Sequence, residues 1–183
     1  MKKLILMLMA VLILLSGCRR ETLPETSGPE TTQTEAPVQD NRTLEELINA
    51  IYAEQPMPIM TASVPVDLQD EWAVKSYTGL DSSENIREAV ASESMIGAQA
   101  YSLVLVLLRD GADAQSVAQQ MRDGIDQRKW VCAYADDLMV SGKNDLVMLV
   151  MIDSTFADEG ATAQSLTDAF QTAVGGTLDF TLK

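Results

Sequence analysis

Few residues in this 183-residue chain have the means to do chemistry. Ser141-Gly142-Lys143 sets a hydroxyl close to an amine, and a neutral lysine can act as the base toward serine in acyl transfer when histidine is missing. Asp136-Asp137, followed by Asp153, Asp158 and Glu159, gives the richest supply of carboxylates, the groups that hydrolyse glycosides in pairs or hold calcium. Cys18 and Cys132 are the two thiols. No histidine occurs, which removes histidine triads, histidine general bases and the common zinc sites together.

Each of these groups also has a plainer reading. Ser141-Gly142-Lys143-Asn144 has hairpin-turn chemistry between two apolar runs, and at a hairpin tip solvent keeps lysine protonated and serine inert. The carboxylates do not follow the calcium-loop pattern of alternate ligands and glycine. Asp158 and Glu159 stand where a helix should begin, and the dipole there favours anions. Cys132 lies within Trp130-Val131-Cys132-Ala133-Tyr134 and reads as a small buried hydrophobe. Trp72, Trp130, Tyr52, Tyr77, Tyr101 and Tyr134 are too dispersed to form a sugar-stacking platform, so core packing is expected. No catalytic residue, metal site or cofactor is therefore expected.

Cys18 has a different context. Lys2 and Lys3 precede an unbroken apolar stretch from Leu4 to Leu15, which leads into Leu15-Ser16-Gly17-Cys18. This is the plan of a secretory signal, and the stretch is shorter than the roughly 20 residues that span a bilayer. Leu15 to Cys18 resemble the lipobox of bacterial lipoproteins, which implies removal of residues 1–17 and acylation of the Cys18 sulfur. Several acyl chains on one cysteine anchor stably where one chain does not. The expected location is the extracytoplasmic face of a cell membrane, with the membrane itself as a partner through the lipid.

Residues 19–42 are rich in Thr, Glu and Pro and have Leu23 and Val38 as their only large apolar side chains, too few to build a core. Such a tether reaches at most about 80 Å extended and roughly 25–30 Å as a coil. The chain has 27 acidic and 13 basic residues, a net charge of −14, and losing the two signal-segment lysines makes it more acidic. That field repels nucleic acid and anionic headgroups.

The folded part is expected to span 43–183. Thr43 and Glu46 have capping-box spacing, and Leu44, Leu47, Ile48, Ile51 and Tyr52 share a helical face over 43–54. Pro56 and Pro58 end that helix, Pro65 marks an extended or irregular stretch, and a short helix follows over 67–77. Two similar strand-strand-helix units come next. In the first, strands 86–92 and 103–108 lead to a helix with Ala114, Val117, Ala118, Met121 and Ile125 on one face. In the second, strands 131–140 and 146–152 lead to a helix with Leu166, Ala169, Phe170, Ala173 and Val174, and both helices contain Ala-Gln-Ser. The expected fold is α+β, an antiparallel sheet of about four strands with N-terminal helices and a short edge strand near Phe180. The continuously apolar strands need both faces covered. The C-terminal helices should cover one face, and the N-terminal helices, a partner or a ligand the other.

From about residue 67 to 175, notably Gly124 to Trp130 leading into a strand and the hairpin of Ser141 to Asp145 followed by Leu146 to Ile152, the chain resembles a family of domain-of-unknown-function lipoproteins from Gram-positive bacteria. The resemblance implies an anchored extracytoplasmic domain and carries no functional residues. The expected role is a non-catalytic binding or protein-interaction domain at the cell envelope. The alternatives are an envelope hydrolase using some of Asp136, Asp137, Asp153 and Asp158, and an accessory subunit of a membrane complex. A metabolic lipid probe should label the wild-type chain and leave a Cys18→Ala variant unlabelled; equal labelling of both would overturn the anchor.

Overall fold

The computed structural model describes residues 42–183, so the expected signal segment, Cys18 and the tether up to residue 41 lie outside the described residues. The fold begins with α1 (Leu44–Glu54), which starts at the expected capping box. The Thr43 hydroxyl accepts from the Glu46 N–H at 3.1 Å, and the Glu46 carboxylate accepts from the Thr43 N–H at 2.8 Å. This satisfies helix-end donors that would otherwise lack partners. Next come β1 (Thr61–Pro65), α2 (Glu71–Thr78), β2 (Ile86–Ser94), β3 (Tyr101–Leu108) and α3 (Ala114–Gly124). β4 (Asp137–Lys143), β5 (Leu146–Ile152), a 3-10 turn (Ser154–Glu159), α4 (Ala163–Val174) and β6 (Phe180–Leu182) complete the chain.

The class is α+β with an antiparallel sheet, but the sheet has six strands rather than about four, in the order β1-β2-β3-β5-β4-β6. The short strand near Phe180 is present as β6, and the stretch around Pro65, expected to be extended or irregular, is the edge strand β1. β3 and β5 pair at the centre, with Tyr101 opposite Ile152 and Leu107 opposite Leu146. All of β5 is buried, as strands covered on both faces must be.

The connections explain which helix covers which face. β3 is parallel to β4, with β5 between them, and β5 is parallel to β6, with β4 between them. Both crossovers step the same way across the sheet, yet they start from strands running in opposite directions. Connections of one hand, normally right-handed, must then place α3 and α4 on opposite faces. Val117, Ala118 and Met121 of α3 pack with Val104, Val106, Val147 and Leu149, and α2 joins this layer. Leu166, Ala169 and Phe170 of α4 pack with Leu103, Leu105, Met148 and Val150, together with α1. The two similar units thus do not share a face. Each face has one N-terminal and one C-terminal helix, contrary to the expected division.

Several boundaries also shift. β4 starts at Asp137, because residues 131–136 form a loop, and Ser141, Gly142 and Lys143 are in the strand instead of the turn. The turn is Asn144-Asp145, where Asn144 takes φ 54°, a left-handed conformation that asparagine tolerates. Gly142 lies beneath the Phe180 ring, which occupies the space of a side chain. α2 begins four residues later than expected because Asp70 caps it, accepting from the Trp72 N–H at 2.9 Å.

The C-terminal ends of α2 and α3 meet backbone to backbone. Gly79, at φ 78°, ends α2, and a Cβ there would lie 2.6 Å from both the Ile125 nitrogen and the Met121 oxygen; one on Gly124 would run into the Gly79 carbonyl. Gly124→Ala should therefore cost at least about 1–3 kcal/mol. Gly97→Ala, whose Cβ would meet nothing within 4 Å, should stay within about 0.5 kcal/mol. Urea unfolding midpoints of the two variants test this contrast.

Candidate functional site

Of the carboxylates singled out in the sequence, Asp136, Asp137 and Asp153 are used to hold backbone. Asp136 accepts from the Ser154 N–H and hydroxyl, both at 2.8 Å. Asp137 accepts from the Ala163 N–H at 2.8 Å, at the start of α4. Asp153 caps the 3-10 turn, accepting from Thr155 N–H at 2.9 Å and its hydroxyl at 2.7 Å. Asp158 and Glu159 are exposed at the far end of that turn and do not begin a helix, since Thr162 caps α4. Together these bonds fasten the segment after β5 to the start of β4. Among the described residues, no group of three or more acidic or cysteine side chains is placed to hold a metal ion.

Ser141 and Lys143 are not the solvated tip residues expected. Ser141 is fully buried between β4 and its neighbours, and its hydroxyl has no partner. Lys143 donates to the Gly175 carbonyl after α4, so its amine is engaged by backbone. Cys132 is exposed rather than buried, at φ 60° on the loop before β4. The aromatic residues divide. Tyr101 is in the core and Tyr52 beside it, and the Tyr52 hydroxyl lies 2.8 Å from Ser92 and 2.9 Å from Tyr101. Burial pushes the Tyr101 phenol well above its ordinary pKa, with Tyr52 adding to the effect, so the network is neutral. Trp72 and Tyr134 are exposed, against the expectation of core packing.

The most distinctive local structure is the loop that contains Cys132. Its ends are tied by Ala135 N–H to the Gln127 carbonyl at 3.0 Å and by the Gln127 side-chain amide to the Ala135 carbonyl at 2.6 Å. Lys129 anchors it to the body. Its ammonium lies 2.5 Å from Glu93 Oε1 at the end of β2, donates to the Ser76 carbonyl at 3.1 Å, and stands 5.1 and 5.3 Å from the Tyr77 and Trp130 ring centres. The Arg128 guanidinium stacks 4.5 Å above the Tyr134 ring. Cation–π contacts of this kind contribute about 0.5–2 kcal/mol each, more as water is excluded. Burial, then the charge of Glu93, raises the Tyr77 pKa. Arg128 thus acts within the loop, through Tyr134, while Lys129 acts across the fold, through Glu93.

This loop belongs to the end of the sheet where β2 and β5 finish and β3 and β4 begin. The β2–β3 loop and Met60 are at the same end, with Met95 N–H bonded to the Met60 carbonyl at 3.0 Å. Of the seven large hydrophobic side chains exposed among the described residues, Met60, Met95, Ile96, Val131 and Tyr134 are found here. Val131, at the loop tip, is 78 % exposed. Elsewhere, shallow depressions of 160 Å3 beside α3 and 270 Å3 between α1 and α4 fall short of the roughly 300–1,000 Å3 of small-molecule sites.

The bonds from Ser154 hold the Asp136 carboxyl below its ordinary pKa of 3.8. A carboxylate with a depressed folded pKa adds stability that is present above the unfolded value and lost as pH falls through the folded one. Asp136→Asn should therefore be less stable than wild type at pH 7, with the difference closing below pH 3.8. Urea midpoints measured across that range check it, and a difference that persists undiminished in acid would refute the assignment. No family model, curated protein or solved structure matches the chain.

Proposed function

We propose that the chain is a lipid-anchored, extracytoplasmic interaction module that is held through Cys18 and offers the loop end of its sheet to a protein partner at the cell envelope. The observation that carries this reading is the gathering of Met60, Met95, Ile96, Val131 and Tyr134 at one end of the domain. Single exposed apolar residues are ordinary, whereas a group of them on adjoining loops is the mark of a binding surface. The Lys129–Glu93 pair fixes one of those loops to the body, which reduces the entropy lost on docking.

The opposite end receives the chain. The Arg42 guanidinium donates to the Ala173 carbonyl near the end of α4, while α1 ends beside Gly160, where Gln55 bonds the carbonyl at 3.2 Å. Arg42 is thus at the far end of the domain from the apolar loops, which supports a tether that leads there from Cys18. The described carboxylates favour this reading over hydrolysis, since each of Asp136, Asp137 and Asp153 already holds a backbone group.

A photo-crosslinking residue at Val131 in the native envelope should give a discrete protein adduct, and one at Asp145 on the opposite hairpin should not. Ile96→Asp should weaken the Val131 adduct at least about tenfold, the equivalent of roughly 1.4 kcal/mol. No adduct from Val131, or the same adducts from both positions, would count against the loop surface.

A further inference from the structure

The edge strand β1 has the features of a self-pairing surface. Its even-numbered residues face β2: Val66 N–H donates to the Ala89 carbonyl at 2.9 Å, and the Met60 carbonyl accepts from Met95 at 3.0 Å. In an antiparallel ladder the alternate residues then point their backbone groups outward, here Thr61, Ser63 and Pro65. Pro65 has no N–H, so the outward groups are the N–H of Thr61 and Ser63 and the carbonyls of all three. Natural edges are blunted by shortness, by proline or by charge, and although β1 is short and ends in Pro65, the third device is missing. From Gln55 to Val66 no residue is charged, in a chain with a net charge of −14.

We infer that two copies of this chain associate by pairing β1 with β1, antiparallel about a two-fold axis through Ser63. In that register each Ser63 N–H donates to the Ser63 carbonyl of the other copy, and each Thr61 N–H donates to the other copy's Pro65 carbonyl. Every outward N–H of the strand is used, and the position that lacks one is occupied by proline. Val64, 46 % exposed, comes opposite Ala62 of the other copy in the closely spaced, non-hydrogen-bonded position, on the face that carries α2. Met60, 67 % exposed, comes opposite Val66. The neutral edge specifies a second copy as the occupant, because it is the surface at which two strongly acidic molecules meet without opposed like charges. The two-fold closes the assembly as a dimer, whereas pairing β1 with β6 of another copy would leave free edges and an open chain.

Hydrogen-bonded antiparallel neighbours stand about 5.5 Å apart at Cα, within the roughly 4.4–6.8 Å a disulfide accepts. In full-length protein carrying Cys132→Ser, Ser63→Cys should form a dimer on mild oxidation in the membrane. Thr61→Cys, displaced four residues from its own copy across the axis, and the Cys132→Ser parent should not. Sedimentation of the full chain in detergent should give a dimer for wild type and a monomer for Ser63→Pro, with circular dichroism unchanged because the Ser63 N–H faces away from β2. Failure of Ser63→Cys to crosslink, equal crosslinking from Thr61→Cys, or a ladder of higher oligomers would overturn the pairing. Met60 belongs to both surfaces, so the mass of the Val131 adduct separates the two readings: a second copy of this chain would count against a separate partner at the loops, and a different protein would leave the β1 pairing to the Ser63→Cys result.

Discussion

The pairing of β3 with β5 is the constraint from which the rest of this fold follows. Both strands are apolar almost throughout, and their side chains alternate between two faces, so neither face can be left to water. The chain meets that demand with helices on both sides. The hand of the connections decides which helix goes where: crossovers that start from oppositely directed neighbours, and step the same way, deliver α3 and α4 to opposite layers. α2 and α1 then fill the space each leaves. α2 and α3 share one face, and there their C-terminal ends meet at the contact of Gly79 with Gly124.

Much of this was legible in the residues. The runs that become β3 and β5, the capping box at Thr43, and the helical stripes of α3 and α4 come directly from spacing, because periodicity and caps are local properties. The repeated Ala-Gln-Ser occupies the first turn of both helices, each Ser N–H bonding the cap before it, Asp113 at 3.1 Å and Thr162 at 3.0 Å. What the repeat could not reveal is that its copies face opposite ways, since the direction of a strand within a sheet is set by non-local pairing. β1 was legible only as an extended or irregular stretch for the same reason. Thr-Ala-Ser-Val-Pro is weakly apolar, and only β2 beside it makes it a strand.

The candidate chemistry separated along similar lines. A carboxylate next to another in sequence looks like a catalytic pair, but Asp136 and Asp137 point their bonds to Ser154 and Ala163, on different later elements. Cys132 sits between apolar neighbours and still reaches solvent, because its loop is closed by Gln127 and Ala135 before β4 begins. Ser141 and Lys143 were misplaced by two residues of turn register, enough to move a hydroxyl from solvent to the interior. Lys129 gives no sign of its importance until Glu93, on a distant strand, comes within reach.

The central pair also governs how the chain must reach this state. Tyr101 and Ile152 are brought together across an intervening helix and strand, so the pairing at the centre of the sheet is less local than the hairpins on either side of it. Topologies dominated by such contacts fold slowly, on the scale of milliseconds to seconds. Until they close, two uncharged stretches, Leu103–Leu108 and Leu146–Ile152, lie open and each is long enough to pair with its counterpart in a neighbouring molecule. Refolding yield should therefore fall as concentration rises, even where the native domain is stable.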